Sequence, residues 1–541
     1  MKRFAALLDA LVYTSSRNRK LALLSAYLRE VPDPDRGWAL AALTGGLDFP
    51  AVKSSTIRNL LMERVDPVLW TLSRDFVGDT AETASLLWPD PAGGVGDDPP
   101  GLDETVRLLS TLTRTSAPKV LPMLLDRLDA SGRYALIKLA TGGMRIGVSA
   151  RLAKTAFAQA FGVNVEEVEE YWHALEPPYT ELFAWAADGA DPPDVSNRPL
   201  FRPFMLAHPL EDTEVDLKDY AAEWKWDGIR VQLVRVAGET RVYSRSGDDI
   251  SATFPELLDV LPMDAVLDGE LLVRGATQGG AEGGAASFNA LQQRLGRKTV
   301  SKKMLSESPA FVRLYDALLI TGEDLREMPW EARRAWLETL MPRLPASHFD
   351  LSQLVEARDF AHLAEIRAGT RDEAIEGLML KRRDSLYIPG RKVGLWYKWK
   401  RDPLLIDCVL MYAQRGSGKR SSFYSDYTFG CWDGDPDALP DASSDQGGAE
   451  LLPVGKAYSG FTDAELKKLD KLVRQTTLNR FGPVREVERT LVFEVAFDSV
   501  HTSKRHKSGL AMRFPRIHRI RWDKPVHEAD RIETLRALVR D

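Results

Sequence analysis

Cysteine is nearly absent from this chain of 541 residues, which has only Cys408 and Cys431. Two cysteines cannot build a four-cysteine zinc module, and so low a count suits a reducing compartment. Long apolar runs are missing too: none approaches the ~20 residues that a membrane-spanning helix needs. The N-terminal MKRFAALLDALVYTSSRNRK begins with two cations and an apolar stretch. That stretch is amphipathic and lacks a small-residue cleavage site, which argues against a signal peptide and makes the cytoplasm the expected location. An excess of positive charge is also lacking, since the net charge is −6. The whole-molecule balance therefore does not advertise a nucleic-acid partner. Local distribution says more. Carboxylates crowd DGDPDALPDASSDQGGAE at 433–450, which reads as disordered. Lys504, Arg505, Lys507, Arg513, Arg516, Arg519 and Arg521 follow one another without a carboxylate among them.

With 44% apolar and 28% charged residues, the chain has the composition of soluble globular protein, and its length suggests three or four domains. Residues 1 to about 190 show helical periodicity. Phe4, Leu7, Leu8, Leu11 and Val12 share one helix face, and Ser15 or Ser16 is placed to cap a second helix. WPDPAGGVGDDPPG at 88–101 reads as a loop. A Pro/Asp-rich connector at 187–203 marks a boundary, after which strand-like runs appear: IRVQLVRV, AVLDGELLV and FVRLYDALLI. Between them ATQGGAEGGAA at 276–286 reads as a flexible loop and PWEARRAWLETLMPRL as a helix, so this region is mixed α and β. A third unit after residue 402 has the strand pattern of a small β-barrel, with one helix in DAELKKLDKLVRQTT. No internal repeat is present, which excludes solenoids and propellers.

EWKWDGIR, residues 223–230, sets Lys225 between Trp224 and Trp226 and follows it with Asp227-Gly228. An amine attacks phosphorus or carbonyl carbon only when unprotonated, so a nucleophilic lysine needs apolar walls or neighbouring cations. The tryptophans and Lys398, Lys400 or a divalent metal are candidates for both. Gly228 would allow a tight turn or a close approach to a ligand. The plain alternative is a lysine whose stem packs on aromatic rings with its amine in water.

Further pieces follow in order: Ser244-Arg245-Ser246-Gly247, Leu267-Asp268-Gly269-Glu270-Leu271, Tyr315-Asp316-Ala317-Leu318, the run Glu376 to Lys381, and Trp396-Tyr397-Lys398-Trp399-Lys400. Singly each is weak. At period two, however, Lys398 and Lys400 point the same way, and paired cations on one face suit a polyphosphate.

The ordered series across about 200–402 resembles the nucleotidyltransferase motifs of the ATP-dependent DNA ligases. The resemblance implies that Lys225 attacks the α-phosphate of ATP to give lysyl-AMP. It further implies that Glu223, Arg230, Arg245, Glu270, Tyr315, Lys398, Lys400 and Arg513 bind ATP, with Arg230 and Glu270 on the ribose and Arg245 on a phosphate. Glu270 and Glu376 would serve the metal, Mg²⁺ or in its place Mn²⁺. Tyr315 stands where many relatives have the phenylalanine that stacks on adenine, and a tyrosine ring can also stack. Gly509-Leu510-Ala511-Met512-Arg513-Phe514-Pro515-Arg516 is similar to the family's last motif, which lies on an oligonucleotide-binding barrel.

The first region resembles the helical DNA-binding domain of the larger ligases. There TGGMRIGVS at 141–149 offers backbone N–H groups and Arg145 to phosphates, with Ser149 as a helix cap. Arg145 and Arg516 are the expected DNA contacts. The expected layout is an all-α DNA-binding domain at 1–195, an α+β nucleotidyltransferase at 200–402 and an OB-fold barrel at 403–541. The expected partners are ATP and nicked double-stranded DNA, without a membrane, for a monomer of bacterial or archaeal type acting in repair. An RNA ligase or capping-type enzyme shares the lysine chemistry, and a non-catalytic DNA-end scaffold shares the fold.

Overall fold

Phe4, Leu7, Leu8 and Leu11 are all buried on one side of the helix Lys2–Val12, which is why that segment folds as a helix against the rest of its unit. Ser16, not Ser15, caps the next helix, Arg17–Glu30, by accepting from the Arg19 N–H. Ser149 does the same for Ala150–Phe161 through the Leu152 N–H. Each such cap contributes about 1 kcal/mol. Among the described residues, helices alone make up the regular structure as far as Asp188, and the first strand is Met205–Leu206.

This computed structural model describes residues 1–96, 98–195, 197–211, 213–274, 291, 294, 300–370, 374–416, 422–436, 449–503 and 506–539. The glycine-rich stretch at 276–286, most of the acidic stretch at 433–450, and Lys504 and Arg505 lie outside the described residues. Among the described residues, no helix is long and apolar enough to cross a membrane.

The chain forms two compact units, and the helical region contributes to both. One comprises 1–15, 45–147 and 403–541; the other comprises 16–44 and 148–402. In the first, Leu404–Arg415 is the spine of a strongly bent antiparallel sheet. One edge pairs with Tyr424–Asp433; the other pairs with Val492–Phe497 and then, farther along, with Val484–Val487. Changing partner along one strand bends the sheet toward a barrel, and Ile517 in the strand Arg516–Arg521 donates its N–H to the Ser459 carbonyl just past the opposite edge. Inside it pack Tyr427, Phe429, Phe493 and Phe497, with both free cysteines among them. The helix Asp463–Thr476, fixed by a Thr462/Glu465 capping box, buries Leu466, Leu469 and Val473.

Besides a two-stranded pair of Met205–Leu206 with Gly390–Arg391, the described residues of the second unit form two larger sheets that meet at the Lys225 strand. In the four-stranded sheet the order is His208–Pro209, Trp396–Lys400, Ile375–Arg382, Tyr220–Trp226. The larger sheet runs Glu239–Ser244, Ile229–Val236, Ala265–Val273, Ala310–Ile320 and Glu323–Asp324, with Phe349–Leu351 parallel to Ala310–Ile320. Its inner face packs Val231, Leu233, Leu267, Leu271, Val312 and Leu314 with Phe254 and Leu337. At about 2 kcal/mol for each buried aliphatic side chain, this face supplies a large share of what holds the unit together. Ala222, Leu378 and Leu380 of the smaller sheet pack on Leu363 of the helix Phe360–Gly369. Alternation along those strands turns Glu223, Lys225, Met379, Lys381, Lys398 and Lys400 to the opposite face.

Candidate functional site

Three adjacent strands set the site by register. Lys225 lies opposite Gly377, which lies opposite Lys400; one step along, Glu223 lies opposite Met379, which lies opposite Lys398. The three lysines therefore share a face. A register shift between Ile375 and Gly377 departs from plain alternation, and the Glu376 carboxylate reaches Lys225 Nζ at 2.6 Å and Lys400 Nζ at 3.3 Å. Burial would push the Glu376 carboxyl up, but the Lys225 and Lys400 ammonium groups hold it down at about 2.

The same alternation corrects one expectation. Trp224 and Trp226 are neighbours of Lys225 in a strand and so point to the other side of the sheet. Trp224 packs with the Leu363 cluster, while Trp226 lies under the Arg313 guanidinium at 3.9 Å and donates to Ser352 Oγ at 3.2 Å. The tryptophans pack on the far side of the sheet and do not wall the amine.

Asp227 and Gly228 lead from the Lys225 strand into the larger sheet. The Asp227 N–H donates to the Ala374 carbonyl at 2.7 Å. A Cβ on Gly228 would stand 2.6 Å from the Leu271 carbonyl oxygen and 2.8 Å from Glu270 Cγ. Glycine is needed because the Glu270 strand crosses at this point.

On that sheet Arg230 lies opposite Glu270. Burial pushes the Glu270 carboxyl up to about 7, Lys225 and Arg230 oppose the rise, and Glu376 and Asp268 add to it. Two carboxyls within each other's field thus ionise far apart. Arg230 grips Asp268 with both ends of its fork, at 3.0 and 2.6 Å, and donates to the Met205 carbonyl at 2.7 Å. That arrangement gives it a structural task beside the expected ribose contact. Lys398 is held below the ordinary lysine range by burial and by the cations Arg391, Lys400, Arg245 and Lys225. Five positive groups in one neighbourhood repel one another unless a polyanion joins them.

Glu223 is buried, with Lys381 Nζ 3.1 Å from one carboxylate oxygen and Arg334 Nη1 3.6 Å from the other. Burial raises its carboxyl despite these partners. Lys381 also donates to the Tyr315 carbonyl at 3.2 Å and lies 4.6 Å from the centre of the Tyr315 ring.

The structure thus brings Lys225, Glu223, Arg230, Arg245, Glu270, Tyr315, Glu376, Lys398 and Lys400 into one unit; Arg145, Arg513 and Arg516 belong to the other. Arg145 is exposed and lines a cleft with Arg74 and Arg415. Arg513 lies 5.0 Å from the Phe514 ring, and Arg516 pairs with Asp498 at 3.0 Å. Sequence reasoning gave no role to Lys381, Asp268, Tyr387 or Arg391. Tyr387 donates to Asp268 at 2.8 Å, completing the hold on Arg230. Lys381 had a usable signal, because it stands at period two from Gly377 and Met379 on the same strand.

The chain is similar to known proteins over nearly its whole length. Residues 204–400 match the family model described as ATP dependent DNA ligase domain, and residues 420–524 match the ATP dependent DNA ligase C terminal region. A "Probable DNA ligase" from Koribacter versatilis (strain Ellin345) is 31% identical over 100% of this chain and 96% of its own length. "DNA ligase 1" from Korarchaeum cryptofilum (strain OPF8) is 30% identical over 99% of this chain and 98% of its own. A longer "Probable DNA ligase" from Opitutus terrae is 32% identical over 99% of this chain, which spans 62% of that protein. The solved structure named Pmar-Lig_PreS3 shares the fold, with a TM-score of 0.57 over 96% of this chain and 99% of its own at 16% identity. The chain belongs to the ATP-dependent DNA ligase family.

Proposed function

We propose that this chain seals nicks in duplex DNA with ATP, and that Lys225 is the nucleophile. The observation that supports this most is the Lys225–Glu376–Lys400 bridge, set by three-strand register inside a cluster of cations. Lys225 Nζ bonds to the α-phosphorus as the bond to pyrophosphate breaks, giving lysyl-AMP. The AMP then passes to the 5′-phosphate of the nick, and the 3′-hydroxyl displaces it to close the strand. All three steps are phosphoryl transfers, in which positioning and charge stabilisation do most of the work.

The residues divide that work. Lys398, Lys400, Arg245 and Arg391 oppose the negative charge that gathers on the phosphates. Tyr315 offers a face to adenine, and the Glu223 oxygen without a hydrogen-bond partner is suited to accept from its exocyclic amine. Glu376 holds the Lys225 amine in place but, at about 2, is a poor proton acceptor. Among the described residues no three acidic, histidine or cysteine side chains gather to hold a metal. The neighbouring Glu270 and Glu376 nevertheless suit Mg²⁺, which is satisfied by one or two carboxylates with phosphate oxygens and water. Mg²⁺ would stabilise charge on the α-phosphate and the leaving pyrophosphate.

The layout we propose is a helical DNA-binding domain at 1–195, a nucleotidyltransferase at 200–402 and an OB-fold domain at 403–541. These would act in a monomer that closes around DNA through phosphate contacts, including Arg145 and Arg516. Such binding is salt-sensitive and nearly blind to sequence. The test is sealing of a singly nicked duplex against RNA ends of the same sequence. Sealing of DNA alone is expected, and preference for RNA ends would favour an RNA-joining enzyme.

A further inference from the structure

Lys400 is the last residue of the strand Trp396–Lys400, and its side chain is about half exposed, so packing alone does not fix its amine. The place of the amine therefore depends on the Lys400 backbone. One side of that backbone is closely held. Lys400 lies opposite Gly377, the Arg401 N–H donates to the Glu376 carbonyl at 2.9 Å, and a Cβ on Gly377 would stand 2.8 Å from Lys400 Cα. On the other side the strand His208–Pro209 pairs only with Tyr397 and Lys398, and the Leu210 N–H ends that ladder by donating to the Lys398 carbonyl at 2.9 Å. Two residues on, by the period of a strand, the Lys400 carbonyl faces the same edge, past the end of its neighbour.

An arginine takes the place of the strand that stops short. Arg367, in the last turn of the helix Phe360–Gly369, donates from Nη1 to the Lys400 carbonyl and sets its fork against the Asp402 carboxylate at 3.4 and 3.2 Å. The helix is seated for this by Trp399, which alternation turns to the face opposite the lysines. Phe360 stacks on the Trp399 ring at 4.7 Å between centres, 11° from parallel, and the Arg367 guanidinium lies 4.6 Å from the centre of the same ring. Phe360 and Arg367 are seven residues apart, two turns along one face of the helix. The Arg367 side chain is 12% exposed and the Asp402 side chain 84%. A pair with so exposed a carboxylate holds little by itself, so the carbonyl is the contact that matters. All of these residues belong to the same compact unit.

We infer that Arg367 is a positioning residue for lysyl-AMP formation: it holds the Lys400 carbonyl where no strand does, and so keeps the Lys400 amine on the Glu376 carboxylate beside Lys225. That amine lies 3.3 Å from the carboxylate oxygen that Lys225 Nζ reaches at 2.6 Å. Without Arg367 the end of the strand is free to fray, and a half-exposed lysine at a fraying end no longer keeps one place. The Arg367 guanidinium rests on Trp399, on the face away from the three lysines, so its effect on the reaction runs through Lys400. The inference rests on the reading of Lys225 as the nucleophile.

The experiment follows single-turnover lysyl-AMP formation from ATP labelled at the α-phosphate in wild type, R367A, R367K, K400A and the double variant R367A/K400A, with urea unfolding of each. R367A is expected to lower the maximal rate about tenfold while the ATP concentration for half-maximal rate stays within about twofold, as misplacement of a reacting group does. In K400A there is no amine to aim, so adding R367A should slow the reaction by less than about twofold more. An arginine that only stabilised the fold would slow both backgrounds by the same factor. R367K keeps a donor within reach of the carbonyl and is expected within about threefold of wild type. A maximal rate in R367A within about twofold of wild type, or an equal loss in both backgrounds, would overturn the inference. So would R367K as slow as R367A at equal stability, and this comparison decides alone if K400A takes too little label to time. Absence of label in wild type that is free of bound AMP would instead strike the Lys225 reading beneath it.

Discussion

Replacing Gly228 with alanine tests whether the crossing of two strands places Lys225. The new methyl carbon would lie 2.6 Å from the Leu271 carbonyl oxygen, 2.8 Å from Glu270 Cγ and 2.8 Å from Leu272 Cδ2. Non-bonded carbon atoms are comfortable at about 3.5–4.0 Å, so the strands must part by roughly 1 Å. All three obstacles lie on paired strand residues, because Leu271 faces Ile229, Glu270 faces Arg230 and Leu272 faces Phe311 in the ladders. The nearest obstacle is a backbone oxygen, so the strand itself must yield and not side chains alone. Overpacking of this kind costs about 1–3 kcal/mol of stability. A displacement of ~1 Å at a reacting group costs about 100-fold in rate. The assay is lysyl-AMP formation from ATP labelled at the α-phosphate, with urea unfolding of the same sample. A folded G228A that takes label within about twofold of the wild-type rate would refute the reasoning.

Lys381→Met should strand Glu223 in the core with its nearest partner gone, a loss of about 3–5 kcal/mol for one half of a buried pair, read by urea unfolding. Recovery of most of that loss in K381M combined with E223Q would show that the pair, not the methionine, is responsible. Glu376→Gln removes the negative partner between Lys225 and Lys400; lysyl-AMP formation should fall by about two orders of magnitude, with overall folding retained by circular dichroism. His173 gives a pH prediction with a definite sign. Its folded form ionises at about 4 against 6.5 for a free imidazole, so its stabilising effect is complete above 6.5 and is lost as pH falls toward 4. At most about 3 kcal/mol is involved, and less where water reaches the half-buried ring. Wild type should therefore lose more stability than H173F between pH 7 and pH 4.5, and equal losses would contradict a buried neutral imidazole.

Much of this site was legible because β-strands impose period two. Lys398 and Lys400 were paired correctly on one face by that rule alone. The same rule, applied to EWKWDGIR, would have turned Trp224 and Trp226 away from Lys225, a consequence that the attractive idea of aromatic walls concealed. Glu376 was placed by its motif. Its reach to two lysines accompanies a register shift between Ile375 and Gly377, which no local pattern announces. Lys381 and Asp268 find their ion-pair partners, Glu223 and Arg230, 158 and 38 positions away, so their pairing is a property of the folded sheets. The helical character of the first 188 residues was readable from apolar spacing and serine caps. Its division between two compact units was not, because that depends on contacts distant in sequence.

The central claim is that Lys225 takes AMP from ATP and gives it to a nick. The most direct measurement is incubation of wild type and K225A, both stripped of bound AMP, with Mg²⁺ and α-labelled ATP, then a denaturing gel and a chase with nicked duplex. Label that requires Lys225 and leaves the protein as the nick closes is the predicted result. A protein that binds the nick yet takes no label, or K225A that takes as much label as wild type, would contradict it.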